Sequence, residues 1–214
     1  MTILQKTTKL LALTFFSASA FFSTAAEIAT SPDTVRPLLN GMTVPAISVL
    51  DQAGKTVDLT ATIKQKPTVL VFYRGGWCPY CNTQLAGLQQ VEGEFAKLGY
   101  QIIAISPEAP LAVSKSQQST KDVALSYTLL SDEKLSAAKA FGIAYYLDAK
   151  TTALYKGSYG INLTYDSTGQ AVLPAPAVYV LNTKAEVQFS YVHINYKTRL
   201  QPELLLLAAK LAKG

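Results

Sequence analysis

A chain of 214 residues, 49% of them hydrophobic and 15% charged, is long enough to bury a real core and suggests one domain. Its net charge of +5 is scattered, with no basic run or basic helix, which excludes nucleic acid and an anionic membrane as expected partners. Two cysteines and a single histidine are too few for a closed zinc site, so neither a metal nor a cofactor is expected.

Residues 1–26 open with Lys6 and Lys9 and no acid, run apolar from Leu10 to Phe22, and finish in Ser23-Thr24-Ala25-Ala26 before Glu27. A charged start, a short apolar core and a small-residue exit describe a secretory signal peptide. The expected cut follows Ala26, with Ala20 or Ala25 as alternatives and a retained anchor as the competing reading. The protein is therefore expected to be exported, into the periplasm of a bacterium, and its mature form to be soluble. Residues 27–43 read as a loose lead-in and 44–214 as the domain.

From Val44, Pro45-Ala46-Ile47-Ser48-Val49-Leu50-Asp51 alternates, Gln52-Ala53-Gly54-Lys55 is turn material and Thr56-Val57-Asp58-Leu59 returns, which predicts an N-terminal β-hairpin. Pro67 to Tyr73 is an apolar run that reads as a buried strand. After it, Leu85, Leu88, Val91, Phe95 and Leu98 recur at helical steps, marking a helix of about five turns that Gly99 ends. A second buried strand is expected over 100–106, a helix near 110–121, a strand over 124–130 and a short helix over 132–141. Residues 178–181 and 186–191 flank Asn182-Thr183-Lys184-Ala185 as a hairpin, and 203–213 form a closing helix. This order implies an α/β layout, a mixed central sheet with helices on both faces. Residues 144–172, rich in tyrosine, glycine, serine and threonine, read first as an insertion packed against the sheet, and otherwise as a lid or partner-binding surface.

The chemistry points to Trp77-Cys78-Pro79-Tyr80-Cys81. A disulfide across two residues removes little loop entropy, so it staples poorly. It does allow exchange, in which one sulfur attacks and its neighbour resolves the mixed disulfide. The Gly75-Gly76 turn brings both thiols to a helix N-terminus, which favours thiolate. Arg74 would add positive charge, Pro79 fits a first helical turn, and Trp77 and Tyr80 either offer flat apolar surface to a partner or pack the core. A non-enzymatic alternative is copper binding by the pair with His193, a residue read first as a strand-end surface or packing group.

Phe72-Tyr73-Arg74-Gly75-Gly76-Trp77-Cys78-Pro79-Tyr80-Cys81 resembles the active-site segment of peroxiredoxin-like proteins of the AhpC/TSA family. Val44–Ile47, Asp51–Leu59, Leu173–Ala177 and Tyr196–Glu203 resemble further family segments in the right order. The resemblance implies a thioredoxin-like fold, a peroxide or a thiol/disulfide partner protein as substrate, a thiol electron donor, and admits a homodimer. Its departures are equally informative. The family's peroxidatic pattern P-x-x-x-T-x-x-C, counted back from Cys81, places Cys78 at the Thr and Arg74 at the Pro. The family's distal Arg falls on Pro176. Loss of such donors should slow peroxide cleavage by orders of magnitude unless Arg74 or Arg199 substitutes. Pro176 instead matches the cis-proline of thioredoxin-like oxidoreductases, where it would expose a strand edge to substrate. The expectation is thus a thiol-disulfide oxidoreductase with Cys78 the exposed nucleophile and Cys81 the resolving thiol. The alternative is a peroxidase with Cys81 peroxidatic and Cys78 resolving.

Overall fold

A computed structural model describes residues 27–119 and 125–213. The signal-peptide reading of residues 1–26 and part of the 110–121 and 124–130 predictions lie outside these residues. Among the described residues no helix is long and apolar enough to cross a membrane.

The N-terminal hairpin forms from β1 (Ser48–Leu50) and β2 (Thr56–Asp58), antiparallel. Leu59 does not extend it. Asp58 accepts the Ala61 N–H at 2.8 Å and so caps a helix, α1 (Leu59–Gln65), which the strand-like alternation of the segment concealed. The buried run becomes β3 (Thr68–Phe72), and α2 (Pro79–Lys97) follows the cysteine turn. Gly99, at a φ of 84°, stops α2 as expected. Next come β4 (Gln101–Ser106), α3 (Pro110–Ser119), β5 (Thr128–Ser131) and α4 (Ser136–Ala140). The last helix is shorter than its sequence suggested. The Asp132 carboxylate accepts the Ala137 and Ala138 N–H groups from outside the helix, and Leu135 turns left-handed at φ 59°.

Residues 144–174 build a second, three-stranded sheet in the order β6 (Ala144–Tyr146), β8 (Ala171–Pro174), β7 (Thr164–Tyr165). Between β6 and β7 lie α5 (Ala149–Ala153) and a π-helical turn, Leu154–Ser158. The insertion therefore has its own secondary structure. The lead-in is not loose: Ala29 donates to the Ala144 carbonyl and Arg36 to that of Gly142. Gly142 must be glycine, since φ is 65° and a Cβ would enter the Arg36 carbonyl.

The chain closes with β9 (Ala177–Leu181), β10 (Val187–Val192) and α6 (Pro202–Ala212). The main sheet runs β10-β9-β3-β4-β5-β1-β2, with β3, β4 and β5 parallel and the rest antiparallel. Alternation along β3 splits the core in two. Leu70 and Phe72 join Leu59, Ile63, Ala138 and Phe141 on one face. Val69, Val71 and Tyr73 join Leu85, Leu88, Phe95 and Leu205 on the other. Burying each such leucine or phenylalanine contributes about 1.5–3 kcal/mol. The mixed sheet with helices on both faces is as the sequence implied, and both cysteines sit in the second layer.

One expectation fails. No cis peptide bond occurs among the described residues, so the bond before Pro176 is trans. Nor does Pro176 leave a strand edge free. The β9 strand beginning at Ala177 pairs with β3 on one side and β10 on the other, and the Pro176 carbonyl accepts the His193 N–H at 3.2 Å.

Candidate active site

The parallel strand β3 ends at Phe72, and the chain must reverse into α2 within a few residues. Gly75 and Gly76 permit it. Gly75 has φ 149°, where a Cβ would strike the Trp77 indole, and a Cβ on Gly76 would strike the Ser116 side chain. The turn is tied by Asn82 Nδ2 donating to the Gly76 carbonyl (2.8 Å) and by the Gly76 N–H donating to Glu108 Oε2 (2.9 Å). Cys78 is then the N-cap of α2, Pro79 its first residue, and Cys81 lies one turn in.

Both thiols are free and differ sharply. Cys78 is 1% exposed, not the open surface residue expected, yet it lines the wall of a cleft of about 490 Å³. Its pKa falls to about 6. A hydrogen bond from the Cys81 thiol lowers it most, burial opposes, and the Cys81 backbone N–H with the Arg74 and Arg199 charges lowers it further. Cys81 is fully buried, and burial first, then the hydrogen bond and charge of Cys78, push its thiol up. Arg199 Nη2 donates to Cys81 Sγ at 3.3 Å.

Arg74 is 2% exposed and no ion pair among the described residues involves it. Its guanidinium lies over the rings of Tyr196, Trp77 and Tyr155 at 4.2, 5.1 and 5.4 Å. Its Nη2 donates to the Tyr155 hydroxyl at 2.8 Å. Trp77 and Tyr155 meet edge to face, as do Tyr80 and Tyr196, and Tyr159 extends the wall outward. Arg74, Trp77, Pro79 and Tyr80 thus surround Cys78 as walls of one cleft, whereas Pro176, buried just before β9, does not line it. Nearby, buried Glu108 has a pKa raised by burial, and its Oε2 accepts from Ser106 Oγ at 3.1 Å.

Sequence reasoning did not foresee Tyr155 and Tyr159, which come from the insertion. Their signal was the density of tyrosine in 144–172, but spacing alone did not say which of them turn inward. Tyr196 also arrives from far along the chain. His193 stays a strand-end group: its Nδ1 accepts the Asn195 N–H at 3.0 Å and its ring lies against Tyr191. The copper reading needs it beside the thiols, and among the described residues no three His, Cys, Asp or Glu side chains gather as a ligand set.

Residues 41–190 match the AhpC/TSA family. The putative peroxiredoxin bcp of Haemophilus influenzae is 35% identical over 109 residues, 51% of this chain and 68% of that protein. Peroxiredoxin Bcp of Escherichia coli K12 is 30% identical over 136 residues, 64% and 84% of the two chains. Among solved structures, peroxidoxin BcpB of Mycobacterium tuberculosis superposes with a TM-score of 0.62 at 19% identity, covering 80% of this chain and 96% of that one. Peroxiredoxin Q of Xanthomonas campestris superposes at 0.60 and 17%, covering 84% and 99%. These structures share the thioredoxin-like α/β fold of this chain.

Proposed function

The chain belongs to the AhpC/TSA family and is a thiol-dependent peroxidase or oxidoreductase, and from that premise we propose that it is a thiol-disulfide oxidoreductase whose nucleophile is Cys78. One observation carries the reading: Cys78 is the thiol that lines the cleft, and it is the one whose pKa is lowered, to about 6. At neutral pH it is largely thiolate, the attacking form.

In the first step the Cys78 thiolate attacks a substrate disulfide. The substrate S–S bond breaks, a Cys78–substrate disulfide forms, and the departing thiolate takes up a proton. Cys78 is now neutral, which removes both influences by which it raised the Cys81 pKa. Cys81 therefore ionises more readily, its thiolate steadied by the Arg199 guanidinium at 3.3 Å. In the second step Cys81 attacks the Cys78 sulfur, releases the second substrate thiolate and leaves the Cys78–Cys81 disulfide. Two electrons have passed to substrate, and an external thiol donor restores the dithiol. The reading includes export to an oxidising envelope, supported by the charged start and short apolar core of residues 1–26. Mass measurement of the protein recovered from a periplasmic extract tests that part.

A second reading has its own support. The relatives are named peroxiredoxins, and Arg199 on Cys81 is a donor of the kind peroxide cleavage needs. Here a Cys81 thiolate attacks ROOH, giving a sulfenic acid and ROH, and Cys78 condenses with it to form the disulfide and water. Single serine variants separate the two. Cys81→Ser should accumulate a stable mixed disulfide through Cys78, and Cys78→Ser should form none. Sustained peroxide consumption by Cys78→Ser, together with its loss in Cys81→Ser, would overturn the first reading.

A further inference from the structure

Arg74 is a buried cation whose partners are aromatic faces and the phenols of Tyr155 and Tyr145. Its Nε has no hydrogen-bond partner, and no ion pair among the described residues involves it. Among the described residues no aspartate or glutamate lines the cleft onto which it and Cys78 open. While Cys78 is a thiolate, the two opposite charges support each other. Attack on a disulfide turns Cys78 into a neutral sulfur and leaves Arg74 without an opposite charge in an aromatic surround. A stranded buried charge is strongly unfavourable. A substrate that brings its own anion within reach of Arg74 restores the pair in the mixed disulfide and in the transition state leading to it.

Resting on the reading of Cys78 as nucleophile, we infer that the cleft selects a low-molecular-weight disulfide with a carboxylate close to its sulfur and a flat or apolar body. The carboxylate pairs with Arg74, and the body lies against Trp77, Tyr155 and Tyr159. At about 490 Å³ the cleft has the size of a small-molecule site. The covalent step is the exchange already described, with the substrate reduced and the dithiol oxidised.

The test compares two disulfides of one shape, 5,5′-dithiobis(2-nitrobenzoate) and its bis-carboxamide. The rate of first thiolate release from the reduced protein is measured with each, and β-mercaptoethanol supplies the ratio set by intrinsic reactivity. The protein should prefer the carboxylate by at least about tenfold beyond that reference, and the preference should survive about 0.5 M salt, because a buried pair is poorly screened. Arg74→Gln should erase the excess. The loss of thiolate in that variant slows both probes equally, so it drops out of the ratio. An excess below tenfold, one abolished by salt, or one unchanged in Arg74→Gln would overturn the inference. Where Arg74→Gln does not fold, the native ratio and its salt dependence decide. Failure of the underlying reading looks different: Cys78→Ser would then still form a mixed disulfide at the native rate.

Discussion

The two sulfurs of one helical turn live in opposite surroundings. On the outer side, Cys78 meets the free N–H end of α2, Arg74 and a cleft walled by Trp77, Tyr80, Tyr155 and Tyr196. On the inner side, Cys81 is enclosed by the second core layer and accepts a hydrogen bond from the Arg199 guanidinium. The same functional group is driven down in pKa at one position and up at the other. Three residues of sequence therefore separate an attacking thiolate from a protonated reserve thiol: the hydrogen bond from Cys81 draws Cys78 down against its burial, and burial pushes Cys81 up.

The largest break in this comparison is removal of the outer sulfur. Cys78→Ser should lower disulfide exchange by about a thousandfold or more, because Cys81 is both protonated and shielded. Stopped-flow exchange with an activated aromatic disulfide measures it. Next is the pH dependence of alkylation of the reduced protein by iodoacetamide. Below pH 6 the rate should rise about tenfold per unit, levelling above it, with the midpoint at the Cys78 pKa of about 6. Stability follows the same ionisation. The folded pKa of Cys78 lies below its unfolded value, so its contribution is complete above the unfolded pKa and is lost as pH falls through about 6. The melting temperature of the reduced protein, relative to Cys78→Ser, should fall from pH 9 to pH 6.

Gly75→Ala tests the turn that holds the two sides apart. Left-side backbone strain and the collision with Trp77 together should cost about 2–4 kcal/mol, read from urea unfolding. The smallest expected effect sharpens the outer side. Tyr155→Phe leaves Arg74 Nη2 without its phenol, costing about 1.5–3 kcal/mol of local stabilisation, with a smaller change in the alkylation midpoint. Tyr159→Phe, at an exposed position, should change neither.

Some of the fold was legible because its signals are local. The run from Pro67 to Tyr73, the Gly-Gly turn and the apolar positions from Leu85 to Phe95 each declare their element within a few residues. Other features were hidden because a capping side chain or a tertiary strand pairing decides them, and neither shows in hydrophobic spacing. Asp58 ends the hairpin as its alternation implies, but it also caps a helix that takes Leu59 out of the strand. The start of a predicted helix at Asp132 is instead a side-chain brace for Ala137 and Ala138. Pro176 carries no cis bond and stands beside a strand already paired on both sides.

By itself the sequence determined the reactive couple: two cysteines with helical spacing, after a glycine turn, at the end of a buried strand. These are consequences of neighbouring residues, and covalent continuity enforces them. Only the tertiary structure decided which sulfur faces a cleft and which charge attends it. Tyr155 reaches Arg74 from 81 residues away and Arg199 reaches Cys81 from 118. Those approaches are set by how the insertion and the approach to α6 pack against the sheet, through burial and aromatic contact that no local spacing encodes.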